Sequence, residues 1–281
     1  MIKILVDSAS DVDLQEAEGA GVYLIPISVR FGDEEYQDGI NLTHREFFEK
    51  LIESDELPQT SQINEAAFAE KFEFLTADGS DVIAITLSSG LSGTYNSAVR
   101  AAKNFNGVYA VDSLNACIGE RILLQYAMRL VKEGVLSATE IVAELDKSKH
   151  KIQLLAVLDT LQYLRKGGRI SSVAAFAGEL LSIKPVVSVV GGEVRLAGKA
   201  MGSKKGNNLL TQLVDKCGGI DFSMPYALGY SGLSDAYLQK YLRDSEKLWK
   251  DNTDSVPAYM IGSTIGTHVG PGAIAVAFFA K

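Results

Sequence analysis

The segment DVIAITLSSGLSGTYNSAVRAAKNF, residues 81–105, decides the fold class of this sequence. A β-branched apolar run ends at Leu87, a turn of serines and glycines follows, and a helix is expected to begin near Gly93 or Thr94. The turn therefore lies at the carboxyl end of a strand and the amino end of a helix, where α/β sheets bind their ligands. The unpaired N–H groups of the helix start and the nearby hydroxyls favour an anion there.

Three more specific interpretations of this turn fail on spacing. The nucleophile elbow of hydrolases requires G-x-S-x-G, whereas GLSGT, residues 90–94, places the second glycine one position early. A phosphate-binding loop requires G-x-x-x-x-G-K-[ST], but Gly192 and Gly198 are separated by five residues and the next lysine precedes an alanine. The dinucleotide motif G-x-G-x-x-G is absent from the turn. The segment can therefore be an anion anchor or a plain connecting turn, because connecting turns also favour glycine and serine.

The flanking segments predict a parallel sheet covered by helices in the first half of the chain. Strand-like runs alternate there with amphipathic helical stretches, as in βα units. Capping boxes mark two helix starts, Thr43 with Glu46 and Ser137 with Glu140. A small hairpin is expected around residues 31–38. The predicted strands are residues 2–6, 22–31, 81–87 and 108–112.

The second half of the sequence favours antiparallel strands. Two strand-like runs flank Gly191-Gly192, a doublet typical of a two-residue hairpin turn in which both residues adopt positive φ. Residues 258–280 again place two apolar strands around a glycine-rich connection. We therefore predict a two-domain α/β protein, with a parallel-sheet α/β domain at residues 1–148 and an α+β domain with a largely antiparallel sheet at residues 149–281.

Composition and charge narrow the class of protein. The 281 residues carry a formal net charge of −8 with no cluster of five or more basic residues, which disfavours nucleic-acid binding. No apolar run approaches the roughly 20 residues of a membrane span, and the apolar start is too short for a secretory signal, so a cytoplasmic protein is expected. Cys117 and Cys217 are expected to be structural thiols. His44, His150 and His268 share no metal-ligand spacing, so no metal is predicted.

Three further polar clusters are candidates for a site. Thr60 and Ser61 precede a helical run, where helix capping explains them at least as well as ligand contact. Arg169 lies in a basic, glycine-containing segment whose composition favours the ordinary end of a helix over a site. His268 stands among glycines between two predicted strands, and a titrating side chain on a glycine-rich loop favours a functional role.

Seven stretches, taken together and in order, resemble the DegV family of bacterial fatty-acid-binding proteins, several of which act as the carrier subunit of fatty acid kinase. The resemblance covers nearly the whole chain. The stretches are VDSASD (6–11), TSQ (60–62), SSGLSGTYNSA (88–98), VDS (111–113), LDTLQYLRKGGRI (158–170), LLSIKP (180–185) and IGTHVGPGA (265–273).

The resemblance implies a DegV-like fold of two α/β domains with a long-chain fatty acid between them. The acyl tail would occupy an apolar tunnel, and the carboxylate would lie at the serine-glycine turn. Hydroxyls, helix N–H groups and a cation make a suitable carboxylate anchor. The residues implied at the carboxylate are Thr60, Ser61, Ser92, Gly93, Arg169 and His268.

In the family's kinase system this subunit does no chemistry and needs no cofactor. The resemblance implies that it shields the acyl chain and presents the carboxyl group to a separate kinase subunit, which phosphorylates it with ATP. A monomer with at most transient membrane contact is expected. Family members often carry an arginine where this chain has Met201, which changes the surface that would dock the kinase, although Lys199, Lys204 and Lys205 remain.

Two alternatives to a carrier follow from the same residues. The first is a serine-dependent hydrolase of acyl esters, with Ser92 as nucleophile, His268 as base and Asp7 orienting the base, and the spacing around Ser92 disfavours it. The second is a transcription regulator, which the negative charge and the absence of a recognisable DNA-reading motif disfavour.

Overall fold

The computed structural model describes residues 1–170 and 183–281. Residues 180–182 of the LLSIKP stretch lie outside the described residues. The strands are β1 (Ile2–Asp7), β2 (Tyr23–Ile25), β3 (Ser28–Phe31), β4 (Glu34–Gln37), β5 (Gln59–Ser61), β6 (Asp81–Thr86), β7 (Val108–Asp112), β8 (Ile152–Val157), β9 (Ile183–Val190), β10 (Glu193–Met201), β11 (Tyr226–Tyr230), β12 (Ala258–Met260) and β13 (Ile274–Phe279). The helices are α1 (Leu14–Ala20), α2 (His44–Glu53), α3 (Glu65–Thr76), α4 (Thr94–Ala102), α5 (Cys117–Glu133), α6 (Ala138–Ser148), α7 (Gln162–Lys166), α8 (Ser203–Lys216), α9 (Ala236–Asp244), α10 (Glu246–Trp249) and α11 (Ser263–Val269).

The first sheet is parallel, as predicted, with strand order β2-β1-β6-β7. Five of the six residues of β6 are buried, which fits a central strand covered on both faces. Helices α3 and α4 pack on one face through side chains such as Phe68 and Ala98. Helices α5 and α6 cover the other through side chains such as Ile122 and Ile141. Both predicted capping boxes are present, at the starts of α2 and α6.

The predicted single strand at residues 22–31 is wrong. It divides at Pro26 into β2, which joins the parallel sheet, and β3, which joins a small sheet of order β4-β3-β5. Proline has no N–H group to donate to a strand ladder, so a continuous strand is disfavoured at this position. The predicted hairpin is present, because β3 and β4 pair antiparallel around Gly32, which has φ 56°.

The second sheet has strand order β10-β9-β8-β13-β11-β12 and is largely antiparallel, as predicted. Gly191 and Gly192 form the tip of the β9–β10 hairpin with φ 59° and 84°, which confirms the predicted turn. The prediction for residues 258–280 needs correction. β12 pairs in parallel with β11 and not with β13, and the glycine-rich connection contains the helix α11.

The two sheets share a core built around α5. This helix packs against β1 and β6 of the parallel sheet and against β8, β11 and β13 of the second sheet. One buried cluster accordingly joins Ile4 and Ile83 to Ala275 and Ala277. The predicted boundary near Ser148 falls at the end of α6, between the two sheets, and the division into two domains stays a prediction. Within the two described ranges, no helix combines the length and hydropathy needed to cross a bilayer.

Candidate ligand-binding site

A cavity lies between the turn that follows β6 and the second sheet, and its empty space, part of which is open to solvent, is about 930 Å³. Its walls come from the turn after β6, from β8, β9 and β13, and from α11. Most of the lining is aliphatic, as with Leu87, Leu158 and Val187. Such an apolar interior suits an apolar ligand.

Polar side chains from four separate segments line the same cavity. They come from β5 and the residue after it, from the turn before α4, from the segment after α7, and from the last turn of α11. These four segments contribute Thr60, Ser61, Gln62, Ser92, Arg169 and His268, and Ser188 of β9 and Thr264 of α11 also line the cavity. Five of the six sequence-predicted site residues therefore line one cavity, and Gly93 is the exception.

The serine-glycine turn is held by carboxylates behind it. The N–H of Leu87 donates to Asp7 Oδ2 at 2.8 Å, and the N–H of Ser89 donates to Asp112 Oδ1 at 3.2 Å. Ser92 Oγ lies 3.0 Å from Thr94 Oγ1 and accepts the Thr94 N–H at 3.2 Å, so its hydroxyl sits at the start of α4. The turn is thus fixed in a shape that presents the Ser92 hydroxyl to the cavity.

Gly93 provides space and does not line the cavity as described. It occupies the N-cap position of α4. A Cβ added there would lie 2.0 Å from Gln62 Oε1, so the close approach of the Gln62 amide requires a glycine. The role of Gly93 at a ligand carboxylate stays a prediction.

Thr60 and Ser61 do not cap a helix, because Asn64 does so. The Asn64 side chain accepts the Ala67 N–H at 2.9 Å at the start of α3, whereas Thr60 and Ser61 belong to β5. Thr60 Oγ1 lies 3.1 Å from His268 Nε2. The capping interpretation of this pair is therefore wrong, and the hydroxyl of Thr60 contacts the imidazole across more than two hundred residues of sequence.

His268 lies in the last turn of α11 and not on a loop as predicted. Within the described part of the chain its Nδ1 is buried and has no hydrogen-bond partner. Desolvation, with a smaller effect from the Arg169 charge, lowers the pKa of His268 to about 4. The imidazole is therefore neutral at pH 7, with one N–H donor and one acceptor nitrogen.

Arg169 links the two halves of the chain beside the turn. Its Nε donates to the carbonyl of Leu91 at 3.3 Å, and its Nη1 donates to the carbonyl of Gly167 at 2.7 Å. The sequence favoured an ordinary helix end for this segment, and α7 does end at Lys166 with basic residues in its last turn. Arg169 itself lies beyond that end and brings a guanidinium to the cavity.

Two features of the site had no clear signal in the sequence. The first is the docking of the β9–β10 hairpin tip on the serine-glycine turn, where Ser88 Oγ donates to the carbonyl of Gly192 at 2.7 Å. A Cβ at Gly90 would lie 2.8 Å from the same carbonyl oxygen. The second is Cys117, which lines the cavity with φ 57° at the start of α5. Burial raises the pKa of its thiol, so the cysteine is protonated and apolar in character.

The residues of the hydrolase alternative are not arranged as a relay. The Asp7 carboxylate accepts the N–H groups of Ala9 and Leu87, and burial raises its pKa to about 7. His268 contacts Thr60, and in residues 1–170 and 183–281 no hydrogen bond joins Ser92, His268 and Asp7. The same described ranges contain no group of three or more His, Cys, Asp or Glu side chains able to hold a metal ion.

Comparison with known proteins identifies the family. Residues 1–281 match the family described as "Uncharacterised protein, DegV family". A DegV domain-containing protein of Caldanaerobacter subterraneus subsp. tengcongensis is 32% identical over 284 residues, which cover 100% of this chain and 99% of the relative. The chain therefore belongs to the DegV family.

Two solved structures with the same fold are described as fatty acid-binding proteins. One is a DegV family protein from Thermus thermophilus whose structure is described under its fatty acid binding. It superposes with a TM-score of 0.87 at 28% identity, and the match covers 100% of this chain and 99% of the Thermus chain. A stearic acid-binding protein from Eubacterium ventriosum gives a TM-score of 0.86 at 26% identity, with 99% and 97% covered.

Proposed function

We propose that this protein binds a long-chain fatty acid, with the acyl tail in the cavity and the carboxylate at its polar end. The observation that carries the proposal is one aliphatic cavity whose polar lining includes Thr60, Ser92, Arg169 and His268. Solved structures of two relatives described as fatty acid-binding share the fold, which supports the same ligand class here.

The two parts of the ligand would make different contributions to binding. Burying the acyl chain stabilises the complex by about 0.8 kcal/mol per CH₂ group, so most of the affinity comes from the tail. The carboxylate would accept hydrogen bonds from Ser92 and Arg169. If the neutral imidazole donates its Nε2–H to Thr60 Oγ1, the Thr60 hydroxyl is free to donate to the ligand. The polar end then sets orientation.

We further propose that the protein presents the carboxyl group to a separate ATP-dependent kinase. A smaller opening of about 340 Å³, lined by residues that include Gly90, Gly168 and Arg169, lies next to the polar end and supports access from outside. Lys204 and Lys205 are exposed on α8 near the exposed Met201, and together they offer a basic surface for docking. The carrier would act as a cytoplasmic monomer with at most transient membrane contact.

Binding is tested with ligands that differ only in the head group. Delipidated protein is titrated with hexadecanoic acid and hexadecanol by displacement of a fluorescent fatty acid. The proposal predicts that the acid binds at least about tenfold more tightly than the alcohol, because charge-assisted hydrogen bonds are stronger than hydrogen bonds between neutral groups. Equal affinities, or no displacement by either ligand, would contradict the assignment of the polar end.

Presentation to a kinase is tested separately. The loaded protein is incubated with a fatty acid kinase subunit and ATP, and hydroxylamine traps any acyl phosphate as a hydroxamate. Hydroxamate that requires both proteins supports the carrier role. Hydrolysis of an acyl ester by this protein alone, with labelling of Ser92 by a fluorophosphonate, would instead establish the hydrolase.

A further inference from the structure

The start of α11 is held by two buried carboxylates from the other end of the sequence. Asp11 Oδ1 accepts the N–H of Gly262 at 2.8 Å. Asp38 accepts the N–H of Ser263 at 3.0 Å on Oδ1 and the N–H of Thr264 at 3.1 Å on Oδ2. The Ser263 hydroxyl also donates to Asp38. Three consecutive N–H groups that a helix start leaves unpaired are thereby satisfied.

This helix forms one side of the ligand cavity. Four of its residues line the cavity in a stripe with helical spacing, which ends at the imidazole that contacts Thr60. They are Thr264, Ile265, His268 and Val269. A movement at the start of α11 therefore moves the imidazole at its end.

Little within α11 itself fixes its position. Its seven residues are too few for an independently stable helix, so external contacts must hold it. On one side Gly266 packs against the aromatic rings of α2, where an added Cβ would lie 2.5 Å from Phe47 Cε1. At the amino end the contacts are the two carboxylates. Asp38 is fully buried and makes three of these four hydrogen bonds.

We infer that Asp38 is a positioning residue for the carboxylate site, because it fixes the start of α11 and thereby the place of the His268 imidazole opposite Thr60. The inference rests on the proposed function. Asp38 is not among the cavity-lining residues of the described chain, so it acts through the helix and not by touching the ligand. A buried carboxylate that accepts three hydrogen bonds holds its partners more firmly than neutral groups would.

The test compares Asp38→Asn with Asp13→Asn. The asparagine side chain has nearly the same size, but its amide NH₂ group would face a backbone N–H of α11, so two donors would oppose each other. Asp13 caps the exposed start of α1, where its carboxylate accepts the Glu16 N–H at 2.8 Å, and so controls for the loss of a helix cap away from the cavity. Affinities for hexadecanoic acid and hexadecanol are measured for the folded variants and the wild type.

The readout is the ratio of the affinities for the acid and the alcohol, which would not change if Asp38 had a purely structural role. We expect Asp38→Asn to lower the ratio about tenfold, and Asp13→Asn to leave it unchanged. In a His268→Ala background, Asp38→Asn should lower the ratio no further, because Asp38 acts on the ligand only through the position of His268. An equal loss for acid and alcohol, or additive effects with His268→Ala, would overturn the inference.

A second variant keeps the test decisive if Asp38→Asn fails to fold. Ser263→Ala removes one donor to Asp38 and leaves the carboxylate in place, so a smaller fall in the same ratio is expected. An unchanged ratio in folded Ser263→Ala would then refute the positioning role. A wild-type protein that does not prefer the acid would instead refute the proposed function, so the two failures are distinguishable.

Discussion

His268 and Arg169 meet at the polar end of the cavity with different charge states. The imidazole is neutral because desolvation lowers its pKa to about 4, whereas the guanidinium keeps its charge. Arg169 is thus a cation at the place where we propose that the carboxylate binds. Its two hydrogen bonds to the carbonyls of Leu91 and Gly167 hold it there.

Replacing this cation should weaken binding of the acid selectively. Arg169→Gln is expected to lower the affinity for hexadecanoic acid about tenfold to a hundredfold, because hydrogen bonds to charged groups contribute about 1.5–3 kcal/mol. The affinity for hexadecanol should change less than about threefold, since the apolar cavity is intact. Arg165→Gln, on the exposed side of α7, is the matched control. A fall for both ligands would show that Arg169 shapes the cavity and does not anchor the carboxylate.

The buried Asp7 carboxyl group makes the stability of the fold depend on pH. Burial raises its pKa from 3.8 to about 7, so between these values the folded protein holds a proton that the unfolded chain does not. The contribution of Asp7 to the free energy of unfolding therefore decreases as the pH rises from about 4 to 7. Relative to Asp7→Asn, the wild type should lose up to about 1.4 kcal/mol per pH unit in this range. Urea unfolding of both proteins at several pH values measures the difference, and parallel curves would contradict the assignment.

At the scale of elements, several structures whose determining residues are neighbours were predicted from the sequence, although the break of the 22–31 strand at Pro26 was missed. The capping boxes of α2 and α6 lie within four residues, and the Gly191-Gly192 turn within two, so all three were predictable. Helix α11 was missed because the carboxylates at its start come from Asp11 and Asp38. The polar residues were found as separate clusters, but their meeting in one cavity depends on packing between the two sheets.

The hairpin tip provides a prediction at this scale. Gly90→Ala places a methyl group 2.8 Å from the Gly192 carbonyl oxygen, so the tip must move away from the serine-glycine turn. Overpacking of this kind costs about 1–3 kcal/mol, and we expect the fatty acid to dissociate about tenfold faster. Stopped-flow displacement measures the rate. Gly19→Ala in α1, where no atom lies within 4 Å of the added Cβ, should leave it unchanged. Equal rates in both variants would mean that the hairpin tip does not retain the ligand.

At the scale of the whole molecule, the cavity lies between two sheets that already share the core around α5. A ligand in the cavity would contact the turn that follows β6 as well as strands β8, β9 and β13 of the second sheet, and it would bind the folded state. Free ligand at a hundredfold excess over its Kd should therefore raise the free energy of unfolding by about 2.7 kcal/mol. Hydrogen exchange should slow in the turn after β6 and in β13 together. Protection confined to one of these two segments would contradict a site between them.

Native mass spectrometry of the purified protein, followed by denaturation and organic extraction, tests the central claim most directly. The claim is that the aliphatic cavity with its polar end holds a long-chain fatty acid. The account predicts one bound molecule per chain that extracts as free long-chain fatty acid. An empty protein that also refuses added fatty acid would contradict it.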